Sequence, residues 1–243
     1  EQSGIKKRPE SLSWFIGYMR SLRRPMGKIY MDFGEPVVLD EVPSGEDKLA
    51  LSKLALQVGV EANRVTPITL ASLATMVLLG SAPRALTRDE LTREIARLVF
   101  WAQARNIKIT RHFAIENEAE LNALAQVLID NRLVTHYDDG PEDLYGISPR
   151  QEAVASYYRN TTIHHFVTKA IAELALAGID LQERAPLEAF WQEVDRLRDL
   201  FKFEFFYAPS EEFRQEVDQE LRHYATDWQA ELARDADFAR TLL

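Results

Sequence analysis

Ten consecutive residues, Tyr157-Tyr158-Arg159-Asn160-Thr161-Thr162-Ile163-His164-His165-Phe166, gather two imidazoles, a guanidinium, a carboxamide and two aliphatic hydroxyls. Such groups can move protons, hold a phosphate or bind a metal. The run lies early in a segment that reads as one helix, opened by Ser148-Pro149 with Gln151 and continuing to about Ala177 before Gly178. Asn, Thr and His are middling helix formers, and here polar groups point around most of the helix circumference. A helix normally confines them to its solvent face, so some of them must meet protein or ligand. On an α-helix, adjacent residues diverge by roughly 100°, so His164 and His165 are not expected to chelate one metal together. His164 aligns with Tyr157, Thr161 and Thr168, and His165 with Tyr158, Thr161, Thr162 and Lys169, which makes two adjacent polar ribbons. One reading is a buried polar network that fixes helix register. A second is a surface for a neighbouring catalytic domain or a phosphorylated ligand, formed by Arg159, Asn160, Thr161, His164 and His165 with Arg159 as the fixed charge. Catalysis by the two His is a third.

Motifs for other chemistry are missing. The sequence has no phosphate-binding P-loop, no Gly-x-Gly-x-x-Gly and no Gly-x-Ser-x-Gly elbow. None of the five His begins a His-x-x-x-x-Asp motif, because the sixth positions hold Asn117, Pro141, Lys169, Ala170 and Trp228. Cysteine is absent, which removes disulfides and thiolate metal sites. No catalytic residue, metal or cofactor is expected in this chain.

The elements that must position the polar run are mostly helices. Residues 9–24 place Trp14, Phe15, Tyr18, Met19 and Leu22 at helical spacing, with Arg20, Arg23 and Arg24 near the end, where cations suit the helix dipole. Ile29–Phe33 reads as a strand and Val37–Leu39 as a second extended piece; polar residues 40–47 mark a boundary. Further helices are expected over 46–63 capped by Ser44, over 67–79 from Thr66-Pro67 to Gly80, and over 88–105 behind a Thr87/Glu90 capping box. Others follow over 118–131 from Asn117, over 187–206 from Pro186, and over 211–233 capped by Ser210. Leu133–Tyr137 and Leu144–Ile147 flank a hairpin loop. The order helix 88–105, strand 107–111, helix 118–131 and hairpin resembles a winged helix. The fold class is therefore mainly α: a helical domain with one β-hairpin, winged-helix-like, preceded by a short helix–strand piece, which the family resemblance below implies is the remnant of an α/β domain.

Charge limits the partners. The chain has 29 Lys/Arg against 38 Asp/Glu, a net −9, but residues 1–30 carry +5 and residues 180–243 carry −8. Helix 118–131 has Glu118, Glu120 and Asp130 and no Lys or Arg, and the hairpin loop holds Asp138, Asp139, Glu142 and Asp143. Phosphate repulsion at both elements argues against nucleic acid. The basic, aromatic segment around Trp14, Arg20, Arg23 and Arg24 suits an anionic membrane surface or a phosphate, or else packs against the strand after it. The longest nearly apolar stretch, Pro67–Leu79, falls short of the roughly 20 residues a spanning helix needs. Phe201, Phe203, Phe205, Phe206 and Tyr207 read as core or, if exposed, as a partner or membrane patch. The start at Glu1-Gln2-Ser3, without an initiator Met, suggests a fragment or a processed product.

Several segments together resemble one family. Gly27-Lys28-Ile29-Tyr30-Met31-Asp32-Phe33-Gly34-Glu35-Pro36 resembles the last strand of the acyltransferase domain of the large bacterial and mitochondrial glycerol-3-phosphate acyltransferases. Asn63-Arg64-Val65-Thr66-Pro67-Ile68-Thr69, the run at 157–166, and Arg198-Asp199-Leu200-Phe201-Lys202-Phe203-Glu204-Phe205-Phe206 resemble successive segments of that family's carboxy-terminal region, over residues 9–215. The resemblance implies residues 1–43 as the end of the acyltransferase domain and 44–243 as a helical carboxy-terminal domain. It also implies a parent enzyme that transfers an acyl group from acyl-CoA or acyl-carrier protein (acyl-ACP) to the sn-1 hydroxyl of glycerol 3-phosphate, in phospholipid biosynthesis. In that family a His-x-x-x-x-Asp motif supplies the general base, and it would lie before residue 1, so this chain alone is expected to be inactive. The implied partner is the acyltransferase domain of the same protein, with the substrates bound through the parent. The implied location is the cytoplasmic face of the bacterial cell membrane, as a peripheral or membrane-associated protein. The rival expectation is a winged-helix interaction module or a peripheral membrane-binding module without enzymatic activity.

Overall fold

Side-chain caps set several of the helix starts. The computed structural model describes residues 12–21, 30–39, 45, 47–110, 118–182 and 184–243, in two compact units, residues 1–31 and 32–243. In the first unit, α1 (Leu12–Ser21) is the described part of the helix expected over 9–24. It leaves Phe15, Ile16, Tyr18 and Met19 about half exposed.

The second unit begins with extended chain. Residues 30–39, of which 32–39 belong to this unit, join no ladder, which corrects the strand expected at 29–33 for the described residues. A strand needs a neighbour to receive its N–H and C=O groups, and the described residues offer this segment none. Instead it follows α2 (Lys48–Val65). The Gly34 backbone passes so near that a Cβ there would sit 3.4 Å from Val65 Cγ1 and 3.5 Å from the Glu61 carbonyl oxygen. Asp32 pairs with Lys108 Nζ at 2.8 Å. The cap of α2 is Asp47, which accepts from the Ala50 N–H at 2.9 Å; Ser44, the expected cap, lies outside the described residues.

Next, α3 (Leu70–Ser81) starts three residues later than expected, from a Thr69/Ser72 capping box, and Gly80 lies inside it. Pro67-Ile68 cannot be helical because Ile68 is used elsewhere. Its N–H donates to the Lys108 carbonyl at 2.8 Å, and its own carbonyl accepts from Thr110 N–H at 3.0 Å. This is an isolated parallel bridge between Ile68 and Ile109. β1 (Leu86–Thr87) leads into α4 (Arg88–Ala104), where the Thr87/Glu90 box forms as its spacing requires. Then come α5 (Glu118–Asp130), β2 (Thr135–Tyr137) and β3 (Leu144–Gly146). The sheet is antiparallel in the order β1-β3-β2. Helix, strand, two helices and a hairpin closing on the first strand is winged-helix order, and among the described residues the unit is mainly α with this one small sheet. Gln151 locks the hairpin to the start of the next helix: its Oε1 accepts from Thr135 Oγ1 at 2.7 Å and from Ser148 N and Oγ at 2.9 Å each.

The helix expected from Ser148 to Ala177 is three pieces: α6 (Glu152–Asn160), a 3-10 turn (Ile163–Phe166) and α7 (Val167–Ala177). α8 (Pro186–Phe201) stops short of 206, because Phe201, Phe205 and Tyr207 fold back edge-on toward Phe213, the last pair 5.0 Å apart. Phe203 and Phe206 stay exposed. α9 (Ser210–Arg222) and α10 (Trp228–Arg234) replace the helix expected over 211–233, and Ser210 makes no cap bond. The break lets Trp228 turn into the core beside Phe190, 5.2 Å between centroids. Asp218 holds it there by accepting from Trp228 Nε1 at 3.0 Å and Gln229 Nε2 at 2.6 Å.

Two cores result. Ile95, Val99 and Ala102 of α4 join Leu73, Leu78, Leu86, Leu133 and Tyr145 in one. Ile171 of α7, Phe190 and Val194 of α8, Phe213, Val217 and Leu221 of α9 and Trp228 form the other. The 3-10 turn hands the chain across: Phe166 stacks on Trp101 at 4.5 Å in the first core, while Val167 belongs to the second. One carboxylate also bridges them. Glu220, on the buried stripe of α9, accepts from Trp101 Nε1 at 3.0 Å and from Arg105 Nη2 at 2.6 Å, and Arg105 Nε closes a bidentate fork. The Arg105 guanidinium lies 4.6 Å over the Trp101 ring. The side chains of Arg105 and Glu220 are 12% and 7% exposed.

Removing one member of a buried pair strands the other charge. Glu220→Ala or Arg105→Ala should lower unfolding free energy by about 3–5 kcal/mol. The double variant should lose less than the sum of the two, as measured by urea denaturation.

Candidate functional site

The break in the polar run decides its geometry. Thr161 Oγ1 donates to the Tyr158 carbonyl at 2.7 Å, a bond that competes with helix continuation. The N–H groups of Thr161, Thr162 and His165 then bond three residues back, to Tyr158, Arg159 and Thr162. The chain thus narrows into the 3-10 turn, and the two polar ribbons expected on a continuous helix do not exist. Nor do the His rings diverge: their centroids are 4.1 Å apart and their planes tilted by 44°. Arg159 is half-buried, with Nε and Nη2 donating to the Asn160 side-chain oxygen at 3.1 and 2.9 Å. Asn160 and Thr161 are exposed, whereas Thr162 is buried.

Both imidazoles reach the end of α2. His164 Nε2 lies 2.9 Å from the Asn63 carbonyl oxygen and His165 Nε2 lies 2.8 Å from that of Thr66. A carbonyl only accepts, so each ring donates an Nε2–H. Burial lowers the His164 pKa to about 4, with the neighbouring His165 adding to the effect and the Asn63 bond opposing it. Burial also lowers that of His165, against the Thr66 bond. At neutral pH both rings are therefore uncharged Nε2–H tautomers. They donate to carbonyls at the helix end, where intrahelical partners run out; the Asn63 oxygen also accepts the Thr66 N–H at 3.2 Å. Thr66 adds its own link, donating Oγ1–H to the Ala62 carbonyl at 2.7 Å.

Around the rings lies a polar cavity of about 170 Å³, with Asn63, Arg64, Tyr207 and Glu216 on its walls. The Tyr207 hydroxyl is buried without a hydrogen-bond partner, and burial pushes its pKa up to about 12. Glu216 reaches solvent at one side, yet the protein packed around its carboxyl removes water from it and raises its pKa, opposed by Arg64 and reinforced by Glu212. A wider cleft of about 440 Å³ adjoins, sharing His165, Thr168 and Glu216 and adding Arg105, Lys169 and His223. Lys169 is committed to Glu173. Each of the paired imidazoles has a backbone carbonyl where a general base would have an orienting carboxylate. The arrangement clamps a helix end rather than priming a nucleophile. Among the described residues no group of three or more His, Asp or Glu is placed to hold a metal ion.

The other sequence candidates lie elsewhere. Trp14 and Arg20 belong to α1, with their side chains outside the described set, and Arg23 and Arg24 lie outside the described residues altogether. Sequence reasoning missed the Arg105–Glu220 pair. Its one signal is register: Glu220 falls seven residues after Phe213 on the stripe shared with Val217 and Leu221, where a charge demands a partner.

The family model for the glycerol-3-phosphate acyltransferase C-terminal region matches residues 1–242. The chain belongs to that family. The "Putative acyltransferase plsB1" of Mycobacterium tuberculosis is 31% identical over 233 residues, covering 91% of this chain and 37% of that protein. The same-named protein of Mycobacterium bovis gives the same figures. The glycerol-3-phosphate acyltransferase of Shewanella denitrificans is 25% identical over 224 residues, covering 85% of this chain and 27% of that protein. This C-terminal region thus spans about a third of the curated relatives it matches, and the motif resemblance at 27–36, 63–69, 157–166 and 198–206 pointed to the right family. Among the described residues no helix is long and apolar enough to cross a membrane.

A depressed His pKa has a definite sign. The unfolded chain takes up the proton first, so the contribution of His164 is full above about pH 6.5 and is lost as pH falls toward about 4. Glu216, with its raised pKa, acts in the opposite direction. The urea midpoint should fall across that window, and His164→Gln, which keeps an N–H near the Nε2 position without titrating, should flatten the fall.

Proposed function

We propose that this chain is the non-catalytic carboxy-terminal part of an enzyme that acylates the sn-1 hydroxyl of glycerol 3-phosphate. The acyl donor is acyl-CoA or acyl-ACP, and the product feeds phospholipid biosynthesis. Residues 1–43 end the acyltransferase domain and residues 44–243 form a helical domain that supports it. The observation that carries this reading is the commitment of His164 and His165 to the Asn63 and Thr66 carbonyls. The imidazoles of the polar run hold architecture, and the chemistry belongs to another domain. His136 does approach a carboxylate, Asp143, at 3.3 Å, but the pair ties β2 to the hairpin loop and the ring stacks on Tyr145. Arg159, Asn160 and Thr161 remain at the surface as contacts for the catalytic domain or its substrates. The exposed apolar side chains of α1, with Arg20, Arg23 and Arg24, suit peripheral attachment to an anionic membrane at the cytoplasmic face.

The β1-β3-β2 order favours a second reading, a winged-helix interaction module without enzymatic activity. The acidic hairpin loop and the acidic α5 make nucleic acid an unsuitable partner for it.

The isolated chain should show no turnover of glycerol 3-phosphate with acyl-CoA, while the full-length protein should yield the 1-acyl product. In that protein Arg159→Ala should lower kcat/KM on the order of tenfold. Arg234→Ala, at an exposed intrahelical ion pair with Glu231, should change it by less than about twofold. Equal effects would remove the contact role of Arg159, and turnover by the isolated chain would overturn the non-catalytic reading.

A further inference from the structure

α2 is built unlike any other long helix of the second unit. It has 18 residues and not one of them is buried. Its sequence is nevertheless amphipathic. Leu51, Ala55, Val58 and Ala62 recur at i, i+4, i+7 and i+11, which is one face of an α-helix, and all four are exposed. Lys53, Gln57 and Arg64 form a polar ridge on the opposite side. Leu51 is 39% and Val58 50% exposed. An apolar ridge turned to solvent over three turns gains nothing for the isolated domain, and small residues at 55 and 62 let a partner backbone come close.

The extended segment 32–39, which leads back toward the start of the chain, touches the last turns of α2 through Gly34, against Val65 and Glu61. Its own apolar side chains also face solvent, for Phe33 is 83%, Val38 79% and Leu39 46% exposed. Meanwhile the relatives carry most of their length outside the matched C-terminal region. We infer that the ridge Leu51-Ala55-Val58-Ala62 is the face on which the preceding acyltransferase domain of the same protein docks. The two His at the end of α2 hold that face in position. The inference rests on the reading of this chain as the carboxy-terminal part of the acyltransferase.

The test separates docking from that reading. The acyltransferase domain and residues 44–243 are produced within the full-length protein with a protease site engineered in the polar stretch 40–47, and cleavage is followed by size exclusion. Wild-type halves should stay together, and hydrogen exchange of α2 amides in the uncut protein should be slower in the wild type than with Leu51 and Val58 both changed to Glu. Leu51→Glu with Val58→Glu should release the halves and weaken their association at least tenfold, while Lys53→Glu with Gln57→Glu on the polar ridge should not. Because Leu51 and Val58 are exposed, the circular dichroism of the uncut protein should be unchanged by the first pair. If the halves stay together with Leu51 and Val58 both changed to Glu, this face is not the dock. If wild-type halves part and residues 44–243 instead dimerise through α2, the occupant is a second copy and the proposal fails. Acylation of glycerol 3-phosphate by the intact protein, measured alongside, reports on the functional reading separately from docking.

Discussion

The second unit depends on one carboxylate that has no business in an apolar stripe unless something pays for its desolvation. Glu220 sits at a core position of α9. Its two oxygens are satisfied from the far side of the molecule, by the guanidinium of Arg105 and the indole N–H of Trp101. The three groups span a sequence separation of more than a hundred residues and join a winged-helix-like core to a helical one. The Trp101 ring serves both ends of this contact. It lies under the Arg105 guanidinium and is stacked by Phe166, the last residue of the turn through which the chain passes between cores.

That turn explains the polar run. A continuous helix through 157–166 would have carried Phe166 and Val167 on in one direction. The threonines end α6, and the 3-10 geometry lets Phe166 enter one core and Val167 the next. It also brings two consecutive imidazoles side by side, where both can donate to carbonyls at the end of α2. The hydrogen-bonding density that looks catalytic in the sequence is the density needed to end one helix, begin another and secure a third.

Legibility in the sequence followed the range of the interaction. The Thr87/Glu90 box and the hairpin are local, and both formed where their spacing put them. The start of α3 was misplaced because Thr66-Pro67 is as good a local signal as Thr69/Ser72. The choice between them is made by Ile68, whose backbone pairs with residues forty positions away. Breaks in the helices at 161, 202 and 223 were unreadable for a related reason. Each is fixed by a side chain that must reach a distant core: Phe166, Tyr207 or Trp228. For the candidate site, the residues were legible and their arrangement was not, since 100° spacing assumed a helix that stops at Asn160. The strand expected at 29–33 shows the opposite limit, for propensity is present but the edge it would pair with is not among the described residues.

The pairing of His164 and His165 with Asn63 and Thr66 has a mechanical consequence. α2 is fixed at its C-terminal end, by two rings that grip carbonyls on either side of its last turn, and it extends about 27 Å from there, at 1.5 Å per residue. It is therefore a lever whose fulcrum is the imidazole pair. A tilt of about 10° at the rings would carry Leu49, near the free end, through roughly 4 Å, an arc set by that helical rise. Sub-ångström changes in how two side chains seat themselves would be magnified into a displacement as large as a side chain at the far tip.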